Sequence, residues 1–358
     1  MLTRTRIVCG NCARDSARTS TKKQADEGHN GGSQADVSYQ GDAMKIRNSI
    51  GSAWAVAALF VCGSSLHAAQ PAQPALPFSL EQLRIGLPEA GAPRAVVGAY
   101  AVTAETIQGE SGLRVYRPRD LSKFPTGDTL PVVVWGNGAC MADGRDFAGY
   151  LSTIASYGFL VVTTAAVPNE PQARITAAHL IKALDWVQAE ASRAGSVLAG
   201  KIKIDSVAVM GMSCGGNIAL EAARDPRVKT LGMWNSGVWN SGEMRTADGT
   251  LLVATTKADL EHIHGPTLFI NGDKIDPAMV NAADDFKRLH GVPVFFGSRH
   301  GCGHSGTYSH ANGGEFANVA VAWLRWQLKA DKEASKVFTG PACSLCKDPN
   351  WTVQRKGL

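Results

Sequence analysis

The sequence predicts an α/β fold: a mostly parallel sheet with helices on both faces. Three observations point there. Strand-length apolar runs, Pro131-Val132-Val133-Val134-Trp135 the clearest, are too uniformly apolar for strands with one wet face. Such runs alternate with amphipathic helical stretches, and repeated alternation sets parallel strands side by side under right-handed crossover helices. Residues 206–210 (SVAVM) run into a glycine-rich turn and then a helical stretch at 217–223, the strand-to-helix junction of such a sheet.

In chain order, AYAVTAETI and GLRVYRP between Gly98 and Pro118 cluster β-formers on either side of a turn and predict an opening antiparallel pair. The run at 131–135 is an interior strand. A helix is expected over 146–157, stopping at Gly158, then a strand over 159–164 and a long amphipathic helix over 173–194 that stops at Gly195. After the junction at 206–223 come strands at 228–233, 267–270 and 293–296, a helix at 282–289 between the last two, and a closing helix at 316–328. Residues 241–264 form an excursion before the strand at 267. There is no internal repeat and no linker after Gln70, so residues 70–358 read as a single domain.

The first 69 residues read differently. Residues 1–43 are polar and irregular, with no period able to bury a face, and predict a disordered or untranslated extension. Met44-Lys45-Ile46-Arg47, the apolar AWAVAALFV and the small residues up to Ala69 then have the three-part layout of a signal peptide over 44–69. Cleavage is expected after Ala68 or Ala69, with secretion or export to the periplasm. Val61 is bulky for a lipidation box ending at Cys62. The apolar run is also too short for a permanent span of about 20 residues, so no stable membrane insertion is expected.

Of 36 basic and 31 acidic residues, eight and five precede Gln70, leaving 28 and 26 and a net charge of +2. That balance, with 7% aromatics and no aromatic and basic interleaving, excludes a nucleic-acid surface. With 44% of 358 residues hydrophobic, the chain has ample material for a large core.

Five of eight cysteines follow Gln70: Cys140, Cys214, Cys302, Cys343 and Cys346. Export permits disulfides, and an odd count leaves a free thiol or an intermolecular bond. Cys343-x-x-Cys346 predicts a local staple in a polar tail; the pairing of the other three stays open.

The central motif is Gly211-Met212-Ser213-Cys214-Gly215-Gly216, directly after a strand and before a helix. A serine on such an elbow has its hydroxyl raised above the sheet, and the flanking glycines avoid collision with neighbouring backbone. Ser213 is the expected nucleophile. It needs a base, and the base an orienting acid, following in the order acid then histidine from loops at the same sheet edge. Asp273 and Asp276 qualify as the acid, whereas Asp284 and Asp285 fall in the next helix and are expected to be solvated or capping. For the base, GSRHGCGHSGTYSH offers His300, His304 and His310, and the glycines flanking His304 suit a loop that projects one side chain. The oxyanion hole is expected from the backbone N–H groups of Cys214 and of Ala139, or an immediate neighbour, in Trp135-Gly136-Asn137-Gly138-Ala139-Cys140. No metal-site spacing accompanies these histidines or His262-x-His264, and neither metal nor organic cofactor is expected.

These segments together resemble a known group. GMSCGG, WGNGAC and the stretch from NAADDF through GHSGTYSHANGGEFANVAVAWLRWQLK are similar to secreted α/β-hydrolases related to dienelactone hydrolases and cutinase-like polyester hydrolases. The similarity runs from about Ala95 to Trp351 and includes the tail Cys-x-x-Cys-x-Asp-Pro-x-Trp. It implies an α/β-hydrolase fold, His304 of Gly-His-x-Gly-Thr-Tyr as base, and the acid a few residues before Asn-Ala-x-Asp-Asp, which selects Asp276 over Asp273. Asp276 lies four residues after Gly272, where the group usually has three. Dienelactone hydrolases carry a cysteine nucleophile, so Ser213 points instead to ester hydrolysis.

The expected function is a secreted serine esterase acting on a small-molecule or polymeric ester. Trp234 and Trp239, after the strand at 228–233, are candidates for substrate contact, and no long lid segment is evident. Two rivals stand beside it: a serine amidase or peptidase of the same fold, and a non-catalytic binding protein, a class that typically loses one of the three residues filled here.

Overall fold

A computed structural model describes residues 96–107, 112–124, 128–240, 242–245 and 249–358. The expected signal peptide, the extension before it, and Cys9, Cys12 and Cys62 lie outside the described residues.

β1 (Val102–Ile107) and β2 (Leu113–Pro118) form the expected antiparallel pair. Then follow β3 (Leu130–Gly136), α1 (Ala148–Ala155), β4 (Leu160–Thr164), α2 (Ala177–Glu190), β5 (Ile202–Met212), α3 (Cys214–Ala222) and β6 (Val228–Trp234). The excursion carries a small ribbon of β7 (Met244–Arg245) and β8 (Leu251–Val253). The chain continues through β9 (Thr267–Gly272), α4 (Ala278–Arg288), β10 (Val294–Arg299), α5 (Gly314–Lys329), α6 (Lys332–Ser335), α7 (Ser344–Lys347) and β11 (Trp351–Lys356).

Nine strands form one sheet in the order β1-β2-β4-β3-β5-β6-β9-β10-β11. The run from β4 to β10 is parallel, and the outer pairings β1–β2, β2–β4 and β10–β11 are antiparallel. Strand side chains alternate between faces, so consecutive valines enter different cores. Val132, Val134, Val207 and Val209 pack with Leu180 and Leu184 of α2, Ile218 of α3 and Phe286 of α4. Val133, Trp135, Ala208 and Met210 pack with Tyr150 and Leu151 of α1 and with Phe316 and Trp323 of α5. Both faces are covered, which is why these strands are apolar throughout; each large aliphatic side chain so buried contributes about 1.5–3 kcal/mol.

Three helix starts and the tail differ from the sequence reading in ways that bear on the site or the sheet edge. The helix expected from residue 173 starts at Ala177, because the preceding segment bonds to the loop after β3: Ala142 N–H donates to Ala173 O at 2.8 Å and Ile175 N–H to Cys140 O at 2.8 Å. α3 starts at Cys214 rather than 217, since Ser213 alone makes the turn, at φ 55° and ψ −119°. α4 starts at Ala278 rather than 282, with the Asp276 carboxylate accepting the Ala278 amide at 3.0 Å. The tail after α5 holds α7 and the edge strand β11, which pairs with β10 over its whole length and buries Trp351 against Phe316.

Candidate active site

The carboxyl ends of the parallel strands, where loops of this sheet class gather, bring three predicted side chains into one hydrogen-bonded line. Ser213 Oγ lies 2.9 Å from His304 Nε2, and His304 Nδ1 lies 2.8 Å from Asp276 Oδ1. A carboxylate only accepts, so the Nδ1–H points to Asp276 and Nε2 is left to take the serine proton. Ser213 sits in the left-handed region, a conformation that costs an L residue roughly 1–2 kcal/mol and is held here by neighbours. Its N–H donates to Trp234 O at 2.9 Å, and its carbonyl accepts the Ser236 hydroxyl at 2.7 Å.

The turn works only because glycines surround it. A Cβ on Gly215 would lie 2.1 Å from Gly136 O, and one on Gly211 would lie 2.2 Å from Gly215 O. The elbow and the loop after β3 therefore touch backbone to backbone.

Asp276 is fully buried and accepts four donors. Besides His304 and the Ala278 amide, these are Asn235 Nδ2 at 2.9 Å and the Gly272 amide at 3.0 Å. Burial pushes its carboxyl up, but the hydrogen bond and charge of His304, with Asn235 and Ala278, outweigh it and hold the group below the ordinary 3.8. Asp273 occupies a different place. Its carboxylate accepts the amides of Ile275 at 3.0 Å and Gly301 at 2.7 Å, tying the loop after β9 to the histidine loop.

His300 is exposed and bonded to Thr352 Oγ1 at 2.8 Å, and the His310 amide donates to Thr307 O. Neither joins the line. Among the described residues no group of three or more His, Cys, Asp or Glu is placed to hold a metal ion, and no helix is long and apolar enough to cross a membrane.

On the other side of Ser213, Cys214 is the first residue of α3, where a helical amide has no carbonyl one turn back to bond. In the facing loop the amides of Cys140 and Met141 close on Asn137 O and Gly138 O at 3.2 and 3.1 Å. Neither is available as a donor. Ala139, exposed and at φ 52°, is the member of this stretch whose amide those turns leave unused. A disulfide joins Cys140 to Cys214, and a second closes Cys343 to Cys346 as the spacing suggests. Among the described residues Cys302 is the free thiol, buried, with burial pushing it up to about 12.

The structure corrects two expectations. Trp234 is fully buried, packed between Tyr150 and Phe316 at centroid distances of 5.6 and 5.7 Å, so its ring belongs to the core and has no face to offer a substrate. Trp239, in the loop after β6, remains half-exposed. Asp285 is neither solvated nor a cap: it is fully buried on α4, bonded by Lys257 Nζ at 2.6 Å and the Val238 amide at 2.7 Å.

The family model described as PETase, PET hydrolase-like, matches residues 84–350. The chain belongs to that family. It is accordingly a hydrolase of the α/β-hydrolase fold, in a family of ester and polyester hydrolases. No curated protein matches it.

In this PETase-family chain, sequence reasoning missed Asn235 and Tyr308. Asn235, directly after β6 at φ 41°, donates to Asp276 and to Gly303 O at 3.2 Å, and its Oδ1 accepts the Tyr308 hydroxyl at 3.0 Å. The one available signal was a polar residue at the carboxyl end of an interior strand.

Proposed function

We propose that this chain is a secreted serine esterase that cleaves carboxylic esters, polyesters among them, through an acyl-enzyme. The hydrogen-bonded line Ser213, His304, Asp276 carries the reading. Ser213 Oγ attacks the ester carbonyl carbon as His304 Nε2 takes its proton, and Asp276 supports the imidazolium through Nδ1–H. The amides of Cys214 and Ala139 receive the developing oxyanion. Collapse breaks the bond to the alkoxide, which leaves with the proton from His304. Water, deprotonated by the same nitrogen, then attacks the acyl carbon, and Ser213 departs with that proton while the acid is released.

Family membership supports the polyester class, and Trp239, half-exposed in the loop after β6, keeps the aromatic surface that Trp234 has lost to the core. Disulfides on both sides of the sheet fit an oxidising destination. The decisive experiment is Ser213→Ala assayed on a p-nitrophenyl ester and on polyester film, with a phosphonate probe mapped by mass spectrometry. Loss of both activities and labelling of wild-type Ser213 is expected. Unchanged turnover in the variant overturns the mechanism, and activity on soluble ester alone overturns the polyester assignment. N-terminal sequencing of exported protein should find a start near Ala69 or Gln70.

A further inference from the structure

We propose that the Cys140–Cys214 disulfide is a positioning element of the oxyanion hole, fixing the Ala139 and Cys214 amides at the separation the tetrahedral intermediate requires. The proposal rests on the nucleophile reading of Ser213 above.

Its placement is the first ground. One sulfur belongs to the residue just after Ser213, the other to the residue just after Ala139, and the bond spans 74 residues of sequence with a Cα–Cα distance of 5.2 Å. It thus joins the two residues flanking the expected oxyanion position rather than two elements remote from it.

The second ground is backbone conformation. Ala139 and Cys140 are consecutive non-glycine residues in the left-handed region, at φ 52° and 51°. Each costs roughly 1–2 kcal/mol, and such a pair persists only where its surroundings over-determine it. Hydrogen bonds hold the pair only from its own side of the site: two turn bonds at 3.1 and 3.2 Å, Arg174 Nη1 donating to Ala139 O at 3.2 Å, and the Ile175 amide donating to Cys140 O at 2.8 Å, none of them from the elbow. Asn137 holds the far side of the loop through Met141 O and Thr164 Oγ1, both at 3.0 Å, not the residues that carry the amides. The covalent link to α3 is what ties Ala139 to the elbow. On the elbow side Gly215 already rests on Gly136 and Asn137, so α3 is a fixed base for that link. Both cysteines are buried, at 0% and 1% exposure, so no solvent competes for this geometry.

A disulfide acting only as a chain staple stabilises the fold and leaves the chemical step alone. A positioning disulfide shows instead in kcat, since an oxyanion donor matters chiefly in the transition state. The test is Cys140→Ala/Cys214→Ala, which removes the bond and keeps both backbone amides, assayed well below its Tm by circular dichroism. On a soluble p-nitrophenyl ester kcat should fall roughly 10²-fold with KM little changed, the cost of misplacing one donor by about 1 Å. A trifluoromethyl ketone, whose adduct on Ser213 places an oxyanion in the same hole, should lose inhibition by the same factor. Cys343→Ala/Cys346→Ala, the matching change at the remote disulfide, should keep wild-type kcat.

Should the double variant not fold, that remote variant is reduced with a water-soluble phosphine, which becomes its oxide with oxygen from water as the disulfide becomes two thiols. The same loss is then expected, reversed by glutathione disulfide. A kcat within about twofold of wild type after loss of the bond, or an equal loss in the remote variant, overturns the proposal. Wild-type turnover by Ser213→Ala overturns the nucleophile reading instead, so the two failures are told apart.

Discussion

Asp276, just ahead of α4, and Asp285, in its third turn, are both fully buried, yet their carboxyls move in opposite directions. Asp276 is held below the ordinary 3.8, whereas burial pushes Asp285 up to about 6 despite a lysine ammonium 2.6 Å away. The donors explain the contrast. Asp276 accepts from His304, Asn235, Gly272 and Ala278, close to the full lone-pair capacity of a carboxylate, while Asp285 accepts from Lys257 and Val238. A single cation does not replace the hydration a buried carboxylate loses; a filled set of directed donors does. In the proposed mechanism the charge that must persist to support an imidazolium is the one whose donors are complete.

The largest effect should come from Asp276→Asn. It leaves the shape but removes the acceptor that fixes the His304 tautomer, and kcat should fall roughly 10³- to 10⁴-fold with little change in KM. If Asp273→Asn is the crippled variant instead, the acid has been misassigned. Next, Asn235→Ala takes away one of the four donors. Its expected cost is about tenfold in kcat, near the 1.5 kcal/mol of one hydrogen bond to a charged group, with KM held because the substrate-facing side chains are untouched. An unchanged kcat would mean the other three donors suffice.

Asp285 sharpens the comparison through stability rather than rate. Between 3.8 and about 6 the folded protein keeps a proton that the unfolded chain has released. Stability contributed by this group is therefore present in full below that window and lost as pH rises through it, with a slope of up to about 1.4 kcal/mol per pH unit. Asp285→Asn cannot ionise, so urea midpoints compared across that window should lose this component of the slope; identical slopes would show that Lys257 offsets the burial completely. The smallest effect is expected from Asp273→Asn, within about tenfold of wild-type turnover, because its carboxylate serves only loop amides.

The parts of this molecule readable in advance were those set by local pattern. Residues 131–135 announced an interior strand because both faces of the sheet are covered, and Ser213 announced itself because strand, glycine turn and helix follow one another without a break. What escaped depends on segments meeting in space. β11 pairs on one side only, and its sequence WTVQRK carries little apolar alternation. The partner of Cys214 was open until the loop after β3 was seen against the elbow. Asp285 looked solvated from its helix position, since nothing local tells that the amide of Val238 and the amine of Lys257 converge on it. Asn235 was silent for the same reason: its role arises only where the ends of β6 and β9 and the histidine loop come together.

The backbone contact among Gly136, Gly211 and Gly215 also bears on how such an enzyme changes over generations or in a directed-evolution campaign. Any substitution at these three codons adds at least one carbon where none fits, so most of the mutational landscape around Ser213 is closed. New substrate preferences must then enter from outside that knot, through positions that already face solvent. Ile275 and Val280, on either side of the Asp276 turn and 50% and 69% exposed, are such positions, and Trp239 is a third. Libraries built there should diversify selectivity while the reaction itself is inherited intact.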